Sequence, residues 1–593
     1  MTEFWLYLSL AFLLLGLGAA LWVRIKQPQG MKALTFLSAG VFFACVFALI
    51  PYCRLTLEAD GVQIPGPVLL AVHYSLKFFT FGAVVTFLVD ASAAMGPMYG
   101  AYLTLLFVLA PVLTFSFLLS FLRNLLASFR LLRGRNREMY IFSQLNSQSE
   151  ILAKDIRKHH KDALLVFADT DDPEQRAVLK TFGAIGLKSD MCALAFGKGK
   201  RTKPLHLFVM GMDEQKNVSL ALDFLDRHPH LERAHLYVFT SNTESELLLT
   251  HTDSTIPVRR INPIRSLIYR FLDEDGTMLF DHARPNEEGT KTIHAVVLGL
   301  GRYGTELTKA LAWYGQMDGY RLEVDVFDKD SKADDRFCAL CPELMAPERN
   351  GVFEDGEAQY TIRIHSGMET GTKSFMDAVS ALNRTTFAFV CLGSDEENIK
   401  AAVDLRRLFA RSNIHPDILS VVYDPEATEA LQHVTDYRKT PYDIAFLGNN
   451  ERMYAEKAIL HSRLEQDALA RHMRWGAEEA SFWNFEYNYR SSVASAIHIQ
   501  ARYLCKLPGA DKPISQQTPE EREALRKLEH LRWNAYIRSE GYVYGGSQDP
   551  SARNDMAKTH NYLTNYYELS EKIKSYDECD GISDPAAVRR KED

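Results

Sequence analysis

The sharpest chemical signal in the sequence is the run Gly299-Leu300-Gly301-Arg302-Tyr303-Gly304. Its spacing suits a dinucleotide-binding loop. The first glycine permits a tight turn, the second lets backbone approach a pyrophosphate, and the third lets a helix pack close to a sheet. A helix beginning there offers free N–H groups and partial positive charge to phosphate. Asp328, followed by Lys329, stands where an acid accepts hydrogen bonds from ribose hydroxyls. The interval from Gly304 to Asp328 exceeds the usual spacing of about 20 residues. The extra length is expected in a loop over residues 315–320. A second glycine turn, Gly393-Ser394-Asp395-Glu396-Glu397-Asn398, follows the apolar run 387–392.

These residues need a strand before the loop (294–298), a helix after it (304–314) and a strand ending at the acid (322–327). Strands alternating with helices predict a parallel α/β sheet. The pattern occurs twice. Residues 205–214 and 387–396 each read as a short buried strand, a glycine turn and an acidic helix start, about 180 residues apart. Gly211 pairs with Gly393, Asp213 with Asp395, Glu214 with Glu396, and Asn217 with Asn398 after a one-residue slip. The first half opens with a strand at 139–142, a helix around 150–159 and a strand at 163–169. Where its glycine loop should be it has Ser143-Gln-Leu-Asn-Ser-Gln, whose side chains would crowd a diphosphate. That half is either a structural partner or a modified polar pocket through Asn146 and Ser147.

The glycine loop with its following aspartate, together with the later Leu392–Asn398 segment, resembles the TrkA-N (RCK N-terminal) family of potassium-uptake regulators. The resemblance covers about 292–425 and, in degenerate form, 138–250. It implies a bound nucleotide, NAD(H) or a related adenine nucleotide, that controls a membrane partner. It also implies that Gly393 and Ser394 lie over the nucleotide, beside Gly299, Gly301, Arg302, Tyr303, Gly304, Asp328 and Lys329.

Beyond residue 443 the chain reads as a strand, a helix from about 450 to 473, and an aromatic stretch (475–489) expected to serve packing. From about 515 the character changes. Acids open a helix, where they favour its dipole, and Leu528, Leu531 and Ala535 are its expected apolar face. Then come Gly541-Tyr-Val-Tyr-Gly545, Lys558-Thr-His560 and Tyr576-Asp577. This order is similar to the ryanodine-receptor RyR repeat over about 515–583, with Tyr542 where a tryptophan is usual. The resemblance implies a small helical module. Glu529, Arg532, Trp533, Tyr536, Tyr542, Tyr544 and His560 either form a pocket that stacks a base and meets phosphate, or make the module's own core and salt bridges.

Charge divides the chain. The first 122 residues carry nine charged side chains and a net charge of +1, so the remainder of a chain with net charge −8 sums to about −9. That balance argues against a nucleic-acid surface. Apolar stretches at 4–23, 33–53 and 98–122 reach the roughly 20 residues that span a bilayer. The stretch 67–88 contains His73 and Lys77 and is read as interfacial or as a fourth span. Basic residues after the first and last spans place those ends in the cytoplasm and the N-terminus outside. No basic region precedes the first apolar run, so a cleaved signal peptide is not expected. Cys338-Ala-Leu-Cys341 is the sole CxxC and lacks a second ligand pair, so no metal is expected. His159, His160, His294 and His365 read as isolated.

The fold class expected is therefore an α-helical membrane segment plus α/β, with two tandem Rossmann-like parallel-sheet domains and a small helical RyR-like domain. The expected boundaries are a membrane domain at 1–137, a degenerate half at 138–290, a nucleotide-binding half at 291–450, a connector at 451–514, a module at 515–583 and a tail at 584–593. The function expected is a membrane-anchored cytosolic nucleotide sensor, without catalysis, in the inner membrane as a homo-oligomer. A ligand-gated oligomeric channel and an NAD(P)-dependent membrane enzyme are the alternatives.

Overall fold

The structure is a computed structural model of the chain. It describes residues 2–589 apart from 27–30, 59–64, 81, 83–84, 134–135, 195, 197–200, 242–248, 250–253, 346–359, 424–434, 436–437, 449, 461, 475 and 547–552. Arg135, one of the basic residues that follow the last apolar stretch, lies outside the described residues. Two compact units result, residues 1–139 with 164–203, and residues 140–163 with 204–593.

The first unit begins with five helices: α1 (Thr2–Lys26), α2 (Met31–Glu58), α3 (Gly66–Phe79), α4 (Val85–Met95) and α5 (Pro97–Arg133). Three apolar stretches within them are long enough to cross a membrane: Glu3–Val23, Leu34–Leu57 and Pro97–Ser116. The stretch 67–88 is not one helix. It breaks after Phe79, where the Thr80 N–H closes on Leu76 O and the Gly82 N–H on Lys77 O at 2.9 Å. Neither resulting helix, of 14 and 11 residues, approaches a span's length. Helix α5 has 37 residues, about 55 Å at 1.5 Å per residue, well beyond a hydrocarbon layer of about 30 Å.

Helices α1 and α2 meet at glycines. A Cβ built on Gly40 would lie 2.6 Å from Gly16 Cα, and one on Gly16 would lie 2.7 Å from Gly40 Cα. Small residues let helix backbones approach where no hydrophobic effect drives them together. Beside the crossing, the Ser9 hydroxyl donates to Ala44 O at 2.6 Å. Gly40→Val should force the pair apart at a cost of about 1–3 kcal/mol. The check is earlier heat-induced loss of the monodisperse peak of detergent-purified protein, with Gly18→Val, whose Cβ would meet nothing within 4 Å, as the neutral control.

The first unit also holds the parallel pair β2 (Leu164–Phe167) and β3 (Ile185–Gly186). In the larger unit, β1 (Met139–Phe142) neighbours β4 (Leu205–Val209), which pairs in parallel with β5 (Ala234–Phe239), and β5 with β6 (Val258–Ile261). After β7 (Arg284–Pro285) comes the second sheet, β8 (Lys291–Leu298), β9 (Tyr320–Asp328), β10 (Tyr360–Ser366), β11 (Phe387–Val390), β12 (Asp417–Val421) and β13 (Ile444–Leu447). Its order is β10-β9-β8-β11-β12-β13, all parallel, with the two-residue β7 added antiparallel to the start of β8. Strand order reverses between β8 and β11, and such a switch point is where open α/β sheets bind ligands. Two Rossmann-like α/β repeats are thus present.

The repeat is maintained in its hydrogen bonds but shifted by one residue from the sequence pairing. Asn217 Oδ1 accepts from Gly211 N, and Asn398 Oδ1 from Leu392 N; their Nδ2 groups donate to Phe239 O and Val421 O, each at 2.8 Å. Glu214 accepts from Ser241 N, as Asp395 accepts from Tyr423 N. Gly211 is therefore the counterpart of Leu392, and Glu214 of Asp395. No slip is needed to align the asparagines, because each is fixed by the job of tying its helix to the next strand.

One apolar core runs from the second sheet (Val324, Phe389) through Val493 and Ile497 to Ala535 and Tyr536. The expected helix 450–473 is broken into Asn450–Met453, Glu456–Ile459 and Arg463–Arg474. The break is anchored by buried Glu456, whose carboxylate meets His159 at 3.0 Å and His160 at 2.6 Å, and whose N–H donates to Asp155. Those histidines are not isolated. Nor are His294 and His365, which both bind Asp325 at 2.7 Å beside Arg363. Burial alone would raise the Asp325 carboxyl, but bonds from His294, Arg363 and His365 outweigh it and hold it well below the carboxylate range.

Candidate functional site

Each glycine of the loop has a distinct reason to be glycine. Gly299 has φ +91°, and a Cβ there would lie 2.7 Å from Cys391 O. A Cβ on Gly304 would lie 1.8 Å from Gly299 O. The helix Arg302–Tyr314 can therefore start only where residue 304 has no side chain. Gly301 differs, since a Cβ there would meet no atom within 4 Å. The protein's own packing does not call for glycine at 301, whereas a diphosphate lying against the backbone would.

Gly301 is the N-cap of that helix, and no side chain caps it. Its first-turn N–H groups have no intrahelical acceptor. Asp328, at the end of β9, accepts from Leu300 N at 2.5 Å and from Asp330 N at 2.7 Å. The acid is thus locked to the loop, with lone pairs to spare for ribose hydroxyls. Beneath the turn, the buried Cys391 thiol donates to Leu298 O and Gly299 O at 3.3 Å, and burial raises its pKa.

A cavity of about 810 Å³ opens at this loop, lined by Leu300, Gly301, Arg302, Thr305 and Asp328 on one side and by Asp213, Glu214, Gln215 and Ser241 on the other. The two sides belong to the two repeats, and neither half makes the site alone. The Arg302 guanidinium donates to Glu214 Oε1 at 3.0 Å across it, and Arg336 lies 2.5 Å from Asp330. The sequence reading does not include Glu214, Ser241 or Arg336 in the site. The acidic helix start shared by the repeats is a signal for Glu214; no local motif marks Ser241 or Arg336.

Gly301, Arg302 and Asp328 thus come together at one cavity. The other expected residues do other work. Tyr303 is half-buried against Tyr423, ring centroids 5.9 Å apart. Lys329 is exposed beyond β9. Ser394 caps the helix Asp395–Arg411 through Glu397 N, and a Cβ on Gly393 would meet Glu397 Oε2 at 3.3 Å. Neither Gly393 nor Ser394 lines the cavity.

The C-terminal set does not form one open pocket. Glu529 (2% exposed), Arg532 (1%) and Tyr536 (1%) are interior. Glu529 accepts from Arg471 and Arg532 at 3.0 Å, from the Ser495 hydroxyl at 2.8 Å, and from Arg502. Burial would raise its pKa, but the charges of Arg532, Arg502 and Arg471 hold it well below the carboxylate range. Tyr536 packs edge-on against Trp313. Trp533 packs against His560, which burial pushes down to about 4. Tyr542 is buried with its hydroxyl donating to Asp555 at 2.8 Å, while Tyr544 is exposed and its N–H meets Glu343. The core-and-salt-bridge alternative therefore describes Glu529, Arg532 and Tyr536. In the CxxC pair, Cys341 is buried and donates to Ser539 O at 3.2 Å, its pKa raised by burial to about 12, while Cys338 is exposed.

No protein-family model matches the chain, and no curated protein does. Solved structures align with it at low similarity. One is GsuK bound to ADP, at 14% identity and a TM-score of 0.33, covering 73% of this chain and 100% of that one. Another is the GsuK channel bound to NAD, at 12% identity and a TM-score of 0.32, covering 72% and 84%. A third is a dipicolinate synthase chain from Bacillus halodurans, at 13% identity and a TM-score of 0.20, covering 55% and 94%.

Proposed function

We propose that the chain is a membrane-anchored nucleotide sensor, in which an adenine nucleotide such as NAD(H) binds at the glycine loop and regulates a transport or effector activity of the membrane helices. The observation that carries this reading is Gly301. It has free space around its Cβ position, it stands at an uncapped helix N-terminus, and it borders a cavity of about 810 Å³ opposite Asp328. A diphosphate is anionic and needs close backbone approach, and this corner supplies both conditions. The ribose falls to Asp328. Phosphate would compete with Glu214 for Arg302, and that exchange loosens a tie between the repeats as the ligand enters. In this reading the α/β unit is cytoplasmic, the N-terminus is outside, and the protein works as a homo-oligomer.

The test is a thermal-shift series on the full chain in detergent with NAD, NADH, ADP and ATP. A true ligand at a hundredfold excess over its Kd stabilises by about 2.7 kcal/mol. Asp328→Asn keeps an acceptor for Leu300 N–H but removes the charge facing ribose, so affinity should fall about tenfold. Absence of a shift with all four nucleotides would overturn the reading.

A further inference from the structure

We infer that the larger unit carries a second anion site, separate from the glycine loop, that takes an organic phosphate. A cavity of about 1030 Å³ lies among β6, the helix Pro263–Glu274, Leu419 of β12, the residues Ala445–Leu447 of β13, the helices Arg463–Arg474 and Glu486–Leu504, and tail residues between Pro585 and Arg589. Small-molecule clefts run to about 300–1000 Å³. This one has room for a nucleotide-sized molecule.

Its charge is opposite to that of the protein. Nine Arg and Lys side chains line it against five Asp and Glu, in a chain whose net charge is −8. The inner arginines are already matched. Arg260 meets Glu486 at 3.1 Å; Arg490 meets Glu486 at 2.6 Å and Glu540 at 3.0 Å; Arg265 meets Glu540 at 3.0 Å and Glu306 at 2.8 Å. Those groups are structural, because breaking a buried pair is costly. The surplus is elsewhere. Arg452 and Arg463 are exposed, and among the described residues neither has a carboxylate within ion-pair distance. Among the described residues the Arg463 guanidinium donates to Ala586 O alone, at 2.6 Å. A guanidinium fork is the group best shaped for a phosphate. The wall also presents Leu267, Phe271, Phe446 and Leu464, an apolar surface for the body of the same ligand.

The two cavities touch one residue in common. Asn262 lines both, and its side chain caps the helix Pro263–Glu274 through Arg265 N at 3.1 Å. An occupant of either cavity thus meets the start of the same helix.

The experiment uses full-length Gly301→Val protein in detergent, so that the glycine loop cannot contribute, titrated calorimetrically with AMP, ADP and inorganic pyrophosphate. One nucleotide should bind per chain. Its affinity should fall at least tenfold in an added Arg452→Glu/Arg463→Glu pair and should weaken with rising salt. Both arginines are exposed, so the paired variant should keep its melting temperature; Arg463→Gln, a milder change, should give a smaller loss. Pyrophosphate binding more weakly than ADP would support a role for the apolar wall. Failure of all three probes to bind, or binding undiminished by the charge reversal, would overturn the second site. Failure of the glycine-loop reading looks different: wild-type binding would then be unchanged by Gly301→Val.

Discussion

Gly301→Val should abolish nucleotide binding and leave the resting protein nearly as stable as before, while Gly304→Val should do the reverse in order of cause: unfold the loop first and lose binding as a consequence. The two positions are three residues apart in one turn, yet their surroundings are opposite. A Cβ at 301 meets nothing within 4 Å, and the backbone there has φ −69° and ψ −163°, which a β-branched residue adopts freely. The added Cβ therefore meets only a bound phosphate, and the poorer N-cap costs the resting helix no more than about 1 kcal/mol. A Cβ at 304 would stand 1.8 Å from Gly299 O. Either the helix Arg302–Tyr314 withdraws from the strand or the turn opens, and such overpacking costs about 3 kcal/mol or more. Melting curves with and without ADP or NAD separate the cases. Gly301→Val should melt close to the wild type and show no ligand shift; Gly304→Val should melt several degrees lower without ligand. Equal loss of stability in both variants would mean that the glycine spacing serves packing alone.

How far the sequence reveals this molecule depends on the range of the forces involved. The glycine loop and its strand–helix setting are local, written within about thirty residues: Gly299, Gly301 and Gly304 fall at the expected strand-to-helix junction, and Asp328 ends the following strand. The three membrane-length helices follow from unbroken apolar composition. What escapes a sequence reading is non-local. Glu214 and Ser241 reach the cavity because two repeats face each other, and no spacing rule contains that. Gly393 and Ser394 have the pattern of ligand contacts, but a serine before three acids is also a helix cap, and that is the role it takes. The helix Pro519–Ser539 misleads for a more specific reason. Of its expected apolar stripe Leu528 and Ala535 are buried and Leu531 is half-buried, while Glu529, Arg532, Asn534 and Arg538 are inside as well. Amphipathic patterning assumes that charge faces water. Here Arg471 and Arg502, from two other helices, neutralise Glu529, and their partnership spans tens of residues.

That buried centre supports the second large effect. Glu529→Gln should destabilise the larger unit by about 3–5 kcal/mol, because it leaves three guanidinium groups in the interior without their shared anion. The amide retains the shape and can still accept hydrogen bonds, so the loss reads charge rather than packing. The same group sets an acid limit. Its pKa in the folded protein lies well below the carboxylate range, whereas in the unfolded chain it is near the ordinary value of about 4.3. A depressed folded pKa contributes stability that is fully present above the unfolded value and is lost as pH falls through the folded one. Between about pH 4.3 and the folded pKa, the wild type should therefore lose stability steeply while Glu529→Gln loses less, and the two melting curves should converge on acidification. Parallel curves down to acid pH would assign the stabilisation to the shape of the site and not to its charge. A replacement that restores packing without charge, Glu529→Met with Arg502→Met, should recover part of the loss. Arg502 is itself interior at 1% exposure, and removing both members of a buried pair costs less than removing one.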